Sequence, residues 1–180
     1  MKYSDIYRLY STSQPKDAIH QALREVPVDD SDEQYEDRSP LHLACQYGDT
    51  EGVKILLERD AEPNTKDANG STPIHILGRT SAGCADEDKL KEIAVMLIEQ
   101  GANIPRSAKN TTALIECIRN RHFKMAEAII DSGARVNSTD LNGENVLFGF
   151  CAASGDIRRD IRFAKKELDE SVQYLSLIHI

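Results

Sequence analysis

Apolar residues recur along this chain at helical spacing, in short segments separated by small or turn-forming residues. Val53, Leu56 and Leu57 stand at i, i+3 and i+4 behind Gly48-Asp49-Thr50-Glu51, which predicts a helix with a single apolar face. Ala94-Val95-Met96-Leu97-Ile98 and Ala128-Ile129-Ile130 supply similar faces further on. Ahead of each comes a shorter apolar segment: Ser39-Pro40-Leu41-His42-Leu43-Ala44, Thr72-Pro73-Ile74-His75-Ile76-Leu77 and Thr112-Ala113-Leu114-Ile115. Proline is favoured at the first helical position, where its missing N–H costs nothing, and a hydroxyl residue before it can cap the helix. A first helix is therefore predicted from Pro40 and from Pro73. No helix of such a pair can bury its apolar face alone, so the pairs are expected to stack on one another.

The spacing supports stacking. Pro40 and Pro73 lie 33 residues apart, and Ser39 to Asp60 spans 21 residues, as does Thr112 to Gly133. Thr72 to Gly101 spans 29, so the second unit carries eight extra residues within Arg79 to Lys89. A fourth unit starts at Asn145-Val146-Leu147-Phe148, 12 residues after Gly133, as Thr72 follows Asp60 by 12. A weaker helix-pair rhythm runs through residues 3 to 28, on Ile6 and Leu9, then on Ala18, Ile19, Ala22 and Leu23.

These units resemble the ankyrin repeat, whose pattern is T-P-L-H-x-A, a second helix, G-A-x-x-N and a hairpin bearing Asp-Gly. Asp67-Ala68-Asn69-Gly70 and Asp140-Leu141-Asn142-Gly143 match that hairpin, and the resemblance covers residues 35 to about 155. Ala113 departs from it at the proline, Ile115 and Phe148 at the histidine, and Asp60 at the glycine. It implies an all-α solenoid of stacked helix-turn-helix units joined by β-hairpin-like loops. The expected division is a capping helix pair and acidic loop at 1–34, unit one at 35–67, unit two with an inter-helix insert at 68–107, unit three at 108–140 and an incomplete unit four at 141–174. It further implies that His42 and His75 hydrogen-bond the hairpin backbone, and that Asp60 takes a left-handed conformation. The terminal Leu175-Ser176-Leu177-Ile178-His179-Ile180 matches the translation of a sequencing-library tag. Residues 175–180 are therefore expected to be a non-native tail and the chain a fragment of a longer protein.

Charge and cysteines narrow the partners. The net charge of −8 removes the electrostatic attraction that drives phosphate binding, so nucleic acid and anionic membrane are not expected. Six carboxylates fall within Asp29 to Asp37; they read as a solvated loop, or as a docking patch for Lys or Arg. No secretory signal core and no membrane-length apolar run is found. Cys45, Cys84, Cys117 and Cys151 are scattered without C-x-x-C pairing, which points to a reducing, cytoplasmic compartment. Cys45, Cys117 and Cys151 fall at equivalent packing positions, and Cys84 lies in the insert. Asp67-Ala68-Asn69-Gly70 lacks the bidentate Glu of a calcium loop. With no phosphate loop, nucleophile elbow or two-histidine motif, no catalysis, metal or cofactor is expected.

The resemblance implies a scaffold that binds another protein along the hairpin tips and the exposed side of the first helices; the net charge of −8 favours a partner with a basic surface, and a monomer is expected. The matching positions are Tyr35, Glu36, Arg38, Gln46 and Tyr47 in unit one, and Ala68, Asn69, Ser71, Arg79 and Thr80 in unit two. Unit three offers Ala108, Lys109, Thr111, Arg119 and Asn120, and unit four Leu141, Asn142, Glu144, Ala152 and Ala153. An alternative is that the repeats are a targeting or substrate-recruiting arm of a longer enzyme.

Overall fold

The computed structural model describes residues 1–80, 86–103 and 112–134. The expected fourth unit, the 175–180 tail, Cys84, Cys151, Lys109, Asn142 and Glu144 lie outside the described residues. Eight α-helices occur among them: α1 Tyr3–Ser11, α2 Lys16–Glu25, α3 Pro40–Gln46, α4 Thr50–Leu57, α5 Pro73–Gly78, α6 Glu87–Glu99, α7 Ala113–Arg119 and α8 Phe123–Asp131. A 3-10 turn, Glu33–Tyr35, precedes α3. No β-strand is present among the described residues, so the fold is all-α.

The helices form two layers. In the first, α1 packs on α3, α3 on α5 and α5 on α7; in the second, α2 packs on α4, α4 on α6 and α6 on α8. One core runs between the layers. It is filled by Ile6, Leu23, Leu41, Leu56, Ile74, Leu77, Leu90, Ile93, Leu97 and Leu114, all fully buried. Each helix shows only one apolar stripe to this core, so its neighbours in the stack complete the burial. The outward residues of α2, such as Asp17, Gln21, Arg24 and Glu25, are exposed and polar.

Helix ends follow from local chemistry. Ser39 and Thr72 are extended (ψ 165° and 167°) immediately before the prolines that open α3 and α5. The second helices end in left-handed residues, Asp60 (φ 62°), Gly101 (φ 85°) and Gly133 (φ 92°). After Asp60 the chain closes a C-terminal hydrogen-bond pair, with Asp60 N–H donating to Leu57 O and Ala61 N–H to Leu56 O, both at 3.0 Å. Asp60 thus has the geometry that the resemblance implied. The insert ends differently from a plain loop. Its Glu87, Asp88 and Lys89 form the first turn of α6, which reaches 13 residues where α4 has 8 and α8 has 9. Asp86 caps that turn by accepting from Asp88 N–H at 3.0 Å, and acidic residues at a helix N-terminus are favoured by its dipole.

Candidate functional site

The histidines of the Pro-x-His segments build the hairpins. His42 is fully buried, and its Nε2 lies 3.0 Å from the Ser71 carbonyl oxygen. A carbonyl can only accept, so Nε2 carries the hydrogen and Nδ1 is the acceptor. Nδ1 accordingly receives the Ser39 N–H at 3.2 Å and the Ser39 hydroxyl at 2.9 Å. Burial pushes the His42 pKa below its ordinary value and keeps the ring neutral. His75 repeats the arrangement with Thr72, at 3.4 Å from its N–H and 2.9 Å from its hydroxyl. In unit three, where isoleucine replaces the histidine, the Thr112 hydroxyl accepts from Ile115 N–H at 3.2 Å.

The turn that His42 holds is closed by its own carboxylate. Asp67 N–H donates to Ser71 O at 2.9 Å and Gly70 N–H to Asp67 O at 2.8 Å. Asp67 Oδ1 receives the Asn69 and Ser71 N–H groups at 2.9 and 2.7 Å. That oxygen is taken up by backbone, as a hairpin turn requires and a cation loop does not. Neighbouring tips are joined as well, by Ala68 N–H donating to Glu36 O at 2.7 Å.

On this scaffold the unit-one positions come together. The Arg38 guanidinium donates to Gln46 Oε1 at 2.9 Å and to the Glu36 carboxylate, while its Nε faces Asp67 Oδ2 at 3.7 Å. Unit two repeats the first link with the partners exchanged, Arg79 donating to Ser71 Oγ at 3.0 Å; Arg79 also pairs with Glu116 at 3.1 Å. Ser71 is fully buried and Thr80 nearly so, so both support the surface from beneath. Asn69 is half-buried at the tip. Asn120, at the end of α7, donates to Gly78 O at 3.0 Å and Glu116 O at 2.9 Å. Gly78 itself sits where a Cβ would come within 3.2 Å of Ala113 O and Cys117 Sγ, so glycine permits the close approach of α5 and α7. Arg119 is half-buried beside Asn120.

The two tyrosines do not stand alone. Tyr35 packs against Tyr7 and Tyr3 of α1, with ring centroids 4.2 and 5.7 Å apart. Tyr47 stacks on Tyr10 at 4.8 Å with 14° between the planes. The acidic run is partly structural too. Asp30 accepts the Tyr3 N–H at 2.6 Å at the start of α1, and Asp32 caps the 3-10 turn through Gln34 N–H.

Several ties between units carried no sequence motif. Asp49, nearly buried between α3 and α4, accepts the Tyr10 hydroxyl at 2.8 Å and pairs with His20 Nε2 at 3.0 Å, which binds the N-terminal helix pair to unit one. His122, nine residues after Ala113 as Asp49 is nine after Pro40, places Nε2 2.6 Å from Thr80 O. Both residues precede a second helix, and that shared repeat position was the available signal. Arg59 donates to the carbonyls of Leu23 and Val26 at the end of α2. Asn64 donates to Gly101 O at 3.0 Å and accepts from Asn103 N–H at 2.7 Å.

Cys45 and Cys117 are free and completely buried, which raises their thiol pKa values; they pack and do not react. Among the described residues no group of three or more His, Cys, Asp or Glu is placed to hold a metal ion, and no helix is long and apolar enough to cross a membrane.

Two layers of short helix pairs with histidine-locked turns define a solenoid of ankyrin type. Residues 22–77 match the family described as ankyrin repeats (many copies). The chain is 31% identical over 134 residues, 74% of its length, to neurogenic locus notch homolog protein 1 of Mus musculus, of which it spans 5%. It is 38% identical over 69 residues to the transient receptor potential cation channel subfamily A member 1 homolog of Caenorhabditis elegans, covering 38% of this chain and 6% of that relative. With ankyrin repeat protein nuc-2 of Neurospora crassa it shares 29% identity over 124 residues, 68% of the chain and 10% of the relative. The chain belongs to the ankyrin-repeat family, and it spans a tenth or less of the length of these relatives. Ankyrin repeats are in general protein-interaction modules.

Proposed function

We propose that this chain is a non-catalytic scaffold that binds a partner protein along the face made by its hairpin tips and the ends of α3, α5 and α7. The observation that carries this reading is the row of Glu36, Arg38, Gln46, Tyr47, Arg79, Arg119 and Asn120, in which Arg38 ties Glu36 to Gln46, Tyr47 stacks on Tyr10, and Arg79 and Asn120 are anchored to Ser71 and to Gly78 O beneath them. Such pre-organisation lowers the ordering cost of binding. Asn69 belongs to this surface, as do Lys109, Asn142 and Glu144 if the later units repeat the geometry. A reducing cytoplasm fits Cys45 and Cys117, which among the described residues are free and buried, and the scaffold is taken to act as a monomer.

The recruiting-arm reading rests on the small share of its relatives that the chain spans; in that case the same face holds the substrate of an attached enzyme. Proximity labelling with the chain fused to a biotin ligase tests the scaffold reading. A neighbour that is retained by wild type and lost on the double change Gln46→Ala and Arg79→Ala, with helicity unchanged, supports it. Neighbours that are indifferent to those changes contradict it.

A further inference from the structure

Five of the six tyrosines gather on one flank of the molecule. Tyr3, Tyr7 and Tyr10 come from α1, Tyr35 from the 3-10 turn and Tyr47 from the end of α3. Their arrangement is fixed from below. Tyr10 is buried, its hydroxyl is held by Asp49 at 2.8 Å, and Tyr47 lies nearly parallel on its ring. Tyr10 covers one side of Tyr47, and Tyr47 remains 37% exposed. Tyr7 and Tyr35, in contact at 4.2 Å, are each half-buried and continue the ledge.

The charge around this ledge is mostly negative: Lys2 and Arg8 are the exposed cations at α1, and the carboxylates of the 29–37 run outnumber them. Asp29, Glu33 and Glu36 are exposed, with Asp32 and Asp37 half-buried among them. Asp32 acts electrostatically on Tyr3, as does Arg38, whose own charge is offset by Glu36 and Asp67. Aromatic faces attract a cation through their quadrupole, and neighbouring carboxylates strengthen that attraction without competing for the ring.

We infer that this tyrosine ledge is a docking site for an arginine-bearing segment of a partner protein, with a guanidinium stacked on Tyr47 and flanked by Tyr7. The inference rests on the protein-binding reading above and extends the binding face onto α1. Arginine fits better than lysine because its planar, weakly hydrated group stacks on a ring while its N–H fork still reaches carboxylates.

The test titrates the chain with the blocked peptide acetyl-(Arg-Gly)3-amide and follows tyrosine ring resonances by NMR, with (Lys-Gly)3 and (Glu-Gly)3 as controls. The chain has no tryptophan, so tyrosine emission gives a second readout. Saturable shifts at Tyr47 and Tyr7, strongest for the arginine peptide, are expected. Tyr47→Leu, which keeps an apolar side chain and removes the π face, should weaken binding roughly two- to five-fold, while Tyr47→Phe retains it. Asp29→Asn with Glu33→Gln should weaken it too and flatten its salt dependence. Equal shifts with (Glu-Gly)3, wild-type affinity in Tyr47→Leu, or no shift at any tyrosine overturns the ledge. Backbone amide shifts confined to Asn69, Arg79 and Arg119, read on the isotope-labelled chain, also overturn it while leaving the hairpin-face reading standing; a partner that survives both Gln46→Ala with Arg79→Ala and Tyr47→Leu removes both.

Discussion

Gly52 in α4 sets helix propensity against packing. Replacing a glycine inside a helix by alanine ordinarily stabilises it by about 1 kcal/mol. Here an added Cβ would fall 2.7 Å from Asp49 Oδ2, 2.9 Å from the Tyr10 hydroxyl and 3.0 Å from Asp49 Cγ. The carboxylate cannot swing aside freely, because Tyr10 and His20 hold it and it is nearly buried. Making room means lengthening or losing a hydrogen bond to a charged group, worth about 1.5–3 kcal/mol. Gly52→Ala should therefore destabilise the fold by roughly 0.5–2 kcal/mol net. In an Asp49→Ala background the two carboxylate contacts are gone and only the Tyr10 hydroxyl, released from its acceptor, stays close, so the same change should cost clearly less than in wild type. Urea unfolding followed by circular dichroism on the four chains of this double-mutant cycle measures the coupling. A Gly52→Ala single variant as stable as wild type, or a cycle with no coupling, would refute the proposed tie between the N-terminal helix pair and unit one.

Asp60→Gly should stabilise by about 0.5–1 kcal/mol, because φ of 62° strains an L-residue and a carboxylate at a helix C-terminus opposes the dipole. Gly101→Asp should do the reverse, since a Cβ there meets nothing within 4 Å and only backbone strain remains; equal urea midpoints would exclude both. His42 binds a proton less readily folded than unfolded. Stability is therefore fully present above about pH 6.5 and is lost as pH falls below it. A His42→Gln chain should lose part of that slope, and an unchanged slope would show that the ring titrates alike in both states. Glu87 receives the Phe123 and Lys124 N–H groups at 3.3 Å, so Glu87→Gln should speed hydrogen exchange in the first turn of α8 and leave α4 unaffected.

What the sequence disclosed was whatever the repeat imposes locally. Pro40 and Pro73 announce where helices start, Asp67-Ala68-Asn69-Gly70 announces a turn, and the glycines at 101 and 133 marked the left-handed position that Asp60 shares. Those features depend on a few adjacent residues, so a short word suffices to reveal them. The ties made by Asp49, His122, Arg59 and Glu87 escaped because each joins residues 29 to 42 positions apart. Nothing beside them in the chain marks the partner. The candidate surface was legible as a set of positions, but not in its use of side chains. Ser71 matches a surface position and is spent inside the turn, and Tyr35 and Tyr47 turn out to lean on α1, whose tyrosines no repeat pattern would select. The insert was legible as extra length; that its end would lengthen α6 depended on how Asp86, Glu87 and Asp88 meet the start of that helix.

The binding face itself is best tested by site-specific photo-crosslinking in cells of the source organism. A benzophenone amino acid is placed in turn at Tyr47, Asn69 and Arg119 on the hairpin side, and at Gln21 and Glu92, exposed on α2 and α6. The proposed scaffold requires a shared adduct of defined mass from the first three positions and none from Gln21 or Glu92. Adducts formed through Gln21 and Glu92 alone would place the partner on the second helix layer and contradict the account.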